Sequence, residues 1–155
     1  YSAARALFEE VLDISRELGS KNGIAWSLYH LGNVALCEGD YGAARSLLEE
    51  SLAIFRELGH KRGVAQDLEE LAQVAVAQRQ PERAARLFAA AEGLREAISA
   101  SLSPAERAGH DRSVAAVRTA LGMSEAGAAF AAAWAEGRVM SLEEAVAFAP
   151  AEGDQ

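Results

Sequence analysis

Three groups of residues in this chain carry side chains that could do chemistry. Glu9-Glu10 and Glu49-Glu50 are paired carboxylates, His30 and Cys37 are an imidazole and a thiol seven residues apart, and His110-Asp111 sets an imidazole beside a carboxylate. Two carboxylates act as acid and base only when they share a site, and neighbouring residues of a helix point about 100° apart. The Glu pairs therefore read as a solvated helix face. A thiol–imidazole nucleophile needs hydrogen-bond contact, whereas seven helical residues rise by about 10 Å. Cys37 reads as a quiet, partly buried thiol. His110-Asp111 is adjacent in sequence and is not a ligand set, and no other His, Cys or carboxylate grouping has metal spacing. Neither a phosphate loop, a nucleophile elbow nor a zinc-helix motif occurs. The expectation is a chain that is not an enzyme and needs no cofactor or metal.

A fourth group points to recognition. Trp26, Tyr29, His30 and Asn33 stand at positions matched forty residues later by Gln66, Glu69, Glu70 and Gln73. Aromatic side chains on an exposed face suit a binding surface, and Glu69 and Glu70 at matching positions argue against a core. The alternative is that Trp26 and Tyr29 pack against the helix of a preceding repeat outside this sequence.

An internal repeat dictates the elements that position these residues. Residues 1–40 laid on 41–80 without a gap agree at 20 of 40 positions, and self-similarity of this kind sets an architecture before any single residue does. The repeat includes Y-x-A-A-R-x-L-x-E-E and R-E-L-G-x-K-x-G, and it persists more weakly after Pro81. Apolar residues at helical spacing predict helices over 2–18, 24–37, 41–57, 64–78 and 82–98. Gly19/Gly23 and Gly59/Gly63 are read as bracketing polar links between helices. Ser103-Pro104-Ala105-Glu106 and Ser141-Leu142-Glu143-Glu144 are capping boxes that open two later helices, with an Ala-rich helix over 125–136 between them. Gly32 and Ala44 stand where two helices must approach closely.

The pattern L-x-x-L-G-x-x-A…G-D-Y-x-x-A-x-x-x-L-x-x-S-L resembles the tetratricopeptide repeat. Here the period is 40 residues against the usual roughly 34. The resemblance implies an all-α solenoid of helical hairpins, a right-handed superhelix, with residues 141–149 as a C-terminal capping helix. Residues 1–98 carry the repeats, entered in mid-repeat, and 99–155 a degenerate last repeat and cap of the same domain. In such arrays one face of each first helix lines a concave groove that binds extended peptides. Residues shared by the copies (Ala25, Leu28, Leu31, Val34, Ala35) mark the framework, while the varying positions 26, 29, 30, 33 and 37 form a stripe on the other side. That assigns the groove to Trp26, Tyr29, His30, Asn33, Gln66, Glu69, Glu70 and Gln73. The expected partner is a protein or peptide with a basic or aromatic residue, the alternative a small-molecule effector in the same groove. A clamp for a C-terminal carboxylate is not expected, because Tyr29, Glu69 and Glu70 stand where it needs other residues. The C-terminal F-A-A-A-W-A-E-G-R-V-M-S-L-E-E-A-V-A-F-A also resembles the end of bacterial multidomain regulators, signal-transduction ATPases and LuxR-type proteins among them.

Composition narrows the partners. The net charge of −8, from 15 basic and 23 acidic residues, withholds the electrostatic term that phosphate binding needs, so nucleic acid is not expected. No apolar run approaches membrane-spanning length and no signal-peptide pattern occurs. One cysteine excludes an internal disulfide and fits a reducing compartment, so a cytoplasmic location is expected. A chain opening at Tyr1 in mid-repeat is expected to belong to a longer one, its first helix open on one side and prone to self-association.

Overall fold

The computed structural model describes residues 1–122 and 125–150. Among these are eight helices and no strand: α1 (Ser2–Glu17), α2 (Lys21–Glu38), α3 (Tyr41–Glu57), α4 (Lys61–Ala77), α5 (Pro81–Ala97), α6 (Pro104–Ala120), α7 (Glu125–Arg138) and α8 (Leu142–Phe148). Consecutive helices pair from α1 to α5, which makes the chain an all-α stack of helical hairpins. The long period lies in the helices, α2 to α5 having 17 or 18 residues each.

A backbone device recurs at the end of each of the first five helices. Gly19, Gly39, Gly59, Arg79 and Ser99 all have positive φ, between 54° and 81°. In each case the next residue's N–H reaches back to a carbonyl in the last turn, as in Ser20 to Ser15 (2.9 Å) and Gln80 to Ala75 (2.9 Å). This six-to-one bond satisfies a carbonyl that the helix end leaves unpaired. The residue that makes it then caps the next helix in three cases. Ser20, Asp40 and His60 accept from the N–H of Gly23, Ala43 and Gly63 at 3.2, 3.0 and 2.9 Å. Both capping boxes expected from sequence, at Ser103/Glu106 and Ser141/Glu144, form.

Gly23 and Gly63 do not end the links, as their spacing had implied; both lie in the first turn of a helix. They are small because another helix comes close. A Cβ at Gly63 would lie 2.6 Å from the Phe55 ring, and one at Gly23 would lie 2.6 Å from Ser15 Oγ. Gly32 does the same between α2 and α3, where a Cβ would fall 2.7 Å from Leu48. Around these contacts Ala44, Leu48, Leu52, Phe55, Val64, Leu68 and Phe88 are buried. Leu12 is also buried and Phe8 half-buried, so the open side of α1 consists of Leu7, Val11, Ile14 and Leu18.

The far end of the stack is built differently. α7 packs mainly on α5 and meets α6 only locally, while α6 lies on α5 and α4. Small residues explain the α5–α7 contact: a Cβ on Gly137 would come within 2.8 Å of Ala89, and one on Gly93 within 3.1 Å of the Arg138 carbonyl. Among the large residues of α7, Phe130 is buried and stacks on Trp134 at 5.6 Å. The Arg118 guanidinium lies over Phe130 at 4.7 Å and tethers α6 to α7. α8 turns back to touch α3, α4 and α5, burying Ala145 and Ala149 and pairing Glu143 with Arg56.

Candidate functional site

α2, α4 and α6 are the first helices of successive hairpins, and they run in register. Position 26 is followed by 66 and 106, position 29 by 69 and 109, position 30 by 70 and 110, and position 33 by 73 and 113. Side chains bridge from each of these helices to the next at almost that interval. The Tyr29 hydroxyl donates to Glu70 Oε1 at 3.5 Å. His110 Nδ1 sits 2.7 Å from Glu69 Oε1, and Gln73 and Ser113 exchange hydrogen bonds at 2.9 and 3.0 Å.

These bridges flank a cavity of about 210 Å³. Its walls are Tyr29 of α2, Gln66, Glu69, Glu70 and Gln73 of α4, Arg95 of α5, Leu102 of the link, and Glu106, Gly109 and His110 of α6. Five of the eight residues expected from sequence thus border one space. The other three stand apart from it. Trp26 packs edge-on against Phe55 (4.9 Å) and His60 (5.7 Å). His30 stacks on Phe8 at 4.6 Å, and burial there lowers its pKa. Asn33 lies beside Tyr29, half-buried, with its Oδ1 lacking a hydrogen-bond partner.

The two adjacent carboxylates of α4 have different surroundings. Glu69 faces two potential cations, Arg95 Nη2 at 3.0 Å and His110 Nδ1 at 2.7 Å. His110 is itself buried, 3.4 Å from Glu92 on its other nitrogen and edge-on to Phe88 at 5.5 Å. Glu70 has only the Tyr29 hydroxyl. Burial and, after it, the charge of Glu69 push the Glu70 carboxyl up to about 7, against the Tyr29 hydrogen bond, which lowers it. Burial likewise raises the Tyr29 phenol, with the Glu70 charge adding to it. Behind them, Asp67 is fully buried with neither carboxylate oxygen paired. The neighbouring Ser51 hydroxyl donates instead to the Ala25 carbonyl at 3.0 Å. Desolvation holds the Asp67 carboxyl well above its ordinary range. Gln66 Oε1 also lacks a partner, as do Nε and Nη1 of Arg95.

Sequence reasoning missed Arg95, Leu102, Glu106, Gly109 and His110. The register would have found three of them, since 106, 109 and 110 continue the spacing of 26/66, 29/69 and 30/70. Arg95 follows Ser15 and Phe55 at the same interval, but nothing in those residues announces a buried cation. Among the described residues no three His, Cys, Asp or Glu side chains converge as metal ligands do, and no helix is long and apolar enough to cross a membrane.

Comparison with protein families finds the tetratricopeptide repeat, matched at residues 1–57 and again at 23–97. That match takes in α1 to α5. Comparisons with curated proteins and with solved structures return no match.

Proposed function

The chain belongs to the tetratricopeptide repeat family, and from that premise we propose that it is a protein- or peptide-binding module whose partner lies in the groove of α2, α4 and α6. Repeats of this family generally serve as scaffolds for protein–protein interaction. One observation carries the assignment of the surface: residues that differ between the copies meet around one cavity, whereas the shared residues Ala25, Leu28, Leu31 and Ala35 are buried in the framework. A stack that keeps its packing face and varies the opposite one is built to present a surface.

The cavity's size favours a peptide over a metabolite. At about 210 Å³ it falls below the roughly 300–1,000 Å³ usual for enclosing a whole small ligand. It suits one side chain of a longer partner. The finer reading, a scaffold or sensor region of a larger bacterial cytosolic regulator with no catalysis of its own, is supported by the C-terminal sequence resemblance. α7 and α8 packing on the hairpins supports residues 1–98 and 99–155 as one domain. The open stripe Leu7, Val11, Ile14 and Leu18 has the four-three-four spacing of a two-helix seam, which supports self-association through α1. Sedimentation over a range of concentrations checks it.

The groove itself is tested by capture from cell extract with wild-type, Tyr29→Ala and Gln73→Ala baits. Loss of the same proteins from both variants, with unchanged melting curves, is the expected result. Equal recovery by all three baits would remove the groove from consideration.

A further inference from the structure

The cavity is polarised. At one end Tyr29, Gln66 and Glu70 gather hydrogen-bond acceptors, of which Gln66 Oε1 lacks any partner and Glu70 has only a 3.5 Å contact from a phenol. At the other end Arg95, only 6% exposed, borders the cavity with Nε and Nη1 unpaired. A buried guanidinium with unused donors is costly, and so is a buried carboxylate with no cation opposite it. Neither need is met within the described residues. Glu69 cannot answer for both, because Arg95 and His110 already flank it.

We propose that this cavity is a subsite for a single arginine side chain of a bound peptide, its guanidinium on the Glu70 carboxylate and a carbonyl of the peptide main chain on Arg95. The inference rests on the groove being the peptide-binding surface. Guanidinium matches the wall better than ammonium does. It carries five donors in a planar fork, and the wall sets the unpaired amide oxygen of Gln66 and the Glu70 carboxylate beside one phenol. The arginine also supplies the positive charge that Glu70 lacks, while the carbonyl takes up the idle donors of Arg95. Peptide direction follows, with the arginine head towards α2 and its main chain towards α6.

Binding is then linked to a proton. The charged groups around Glu70 are Asp67 and Glu69 on its own helix, Tyr29 on α2, Arg95 and Glu92 on α5, and Glu106 and His110 on α6. Among the described residues Arg95 and the His110 ring face Glu69, and Arg62 acts on Glu106. With Glu70 titrating near 7 when the cavity is empty, an arriving guanidinium stabilises the ionised form and expels the proton. Affinity therefore rises with pH through neutrality.

The test uses the full chain and three capped alanine peptides with a central arginine, lysine or glutamine. Carboxyl NMR of Glu70 and backbone amide shifts of α2 and α4 are the readouts. The arginine peptide is expected to lower the Glu70 midpoint by about one unit or more and to bind about tenfold tighter than the glutamine peptide, with lysine between. Glu70→Gln abolishes that preference, and Glu50→Gln on the exposed side of α3 leaves it intact. Arg95→Lys keeps a charge opposite Glu69 but loses the fork, and weakens all three peptides alike. If all three peptides shift the groove amides equally, the arginine subsite is overturned while the groove reading stands. An unmoved Glu70 midpoint alongside shifted amides has the same meaning. If no peptide shifts those amides, both readings fall.

Discussion

Phe55 and Arg95 occupy the same place in successive repeats, forty residues apart at the ends of α3 and α5, yet they make opposite kinds of joint. Phe55 is fully buried, its ring against the backbone of Gly63 and edge-on to Trp26 at 4.9 Å. Arg95 is nearly as buried but meets charge, ion-paired to Glu69, which also takes His110. The first joint fastens α4 with area removed from water. The second fastens α6 with directional charged contacts, and His110 and Val117 are the only residues of α6 that are fully buried. A repeat can thus keep its register while changing what binds one unit to the next. The apolar joint makes a rigid frame, and the charged one makes a wall that answers to pH and to ligands.

The comparison breaks most sharply at Phe55. Phe55→Ala removes a whole ring from a fully enclosed site, at a cost of about 3–5 kcal/mol, and a melting curve should show the entire stack weakened. Arg95→Ala should cost about 2 kcal/mol, less than a broken buried pair usually does, because His110 still faces Glu69. Its signature is local: faster amide exchange in α6, with α2 to α4 as protected as before. If α2 to α4 lose protection equally in both variants, the two joints do not differ in kind.

Acidity sharpens the same contrast. Glu70 has its folded-state pKa raised, to about 7 from an ordinary 4.5. Between those values the folded chain holds a proton that the unfolded chain has released, so stability falls as pH rises through that window. Above it the whole penalty is present, and below about 4.5 it vanishes because both states are protonated. Asp67 shifts in the same direction and adds to the slope. Glu70→Gln should therefore stabilise the free protein at pH 8 by about 1–3 kcal/mol and do little at pH 4. Thermal melts at the two pH values check this, and a gain of equal size at both would remove the buried charge as its cause.

The hairpins were legible because a 40-residue period and helical apolar spacing both survive in the first two copies. Where helices touch was less so. Gly23 and Gly63 carried the signal of a link, since a sequence shows a small residue but not the Ser15 or Phe55 that requires it. Half the cavity wall was missed for a related reason. Residues 106, 109 and 110 keep the register, but in that copy α6 shares with the earlier helices only Ala105, His110, Val114 and Ala115. The packing of α7 on α5 left no trace, because alanine and glycine surfaces fit many partners and name none.

The smallest expected effect concerns the turns that separate the two regions. Every first-to-fifth helix ends on a left-handed residue, glycine at 19, 39 and 59 but Arg79 (φ 59°) and Ser99 (φ 54°) at the later ones. A side chain there clashes with the following carbonyl, at roughly 1–2 kcal/mol, while glycine gives back part of that through a more disordered unfolded chain. Arg79→Gly and Ser99→Gly should each stabilise by about 0.5–1 kcal/mol. Gly59→Ala should destabilise by a similar amount, because its Cβ would meet nothing within 4 Å and the cost is backbone strain alone. The Ser99 turn leads into α6, so its gain should also slow amide exchange in that helix, whereas the Arg79 turn joins α4 to α5 inside the apolar frame. Denaturant midpoints give the energies and hydrogen exchange gives the location. A Ser99→Gly gain spread evenly over α2 to α5 would mean that α6 unfolds together with the frame, and the contrast between the two joints would then be one of chemistry without a difference in cooperativity.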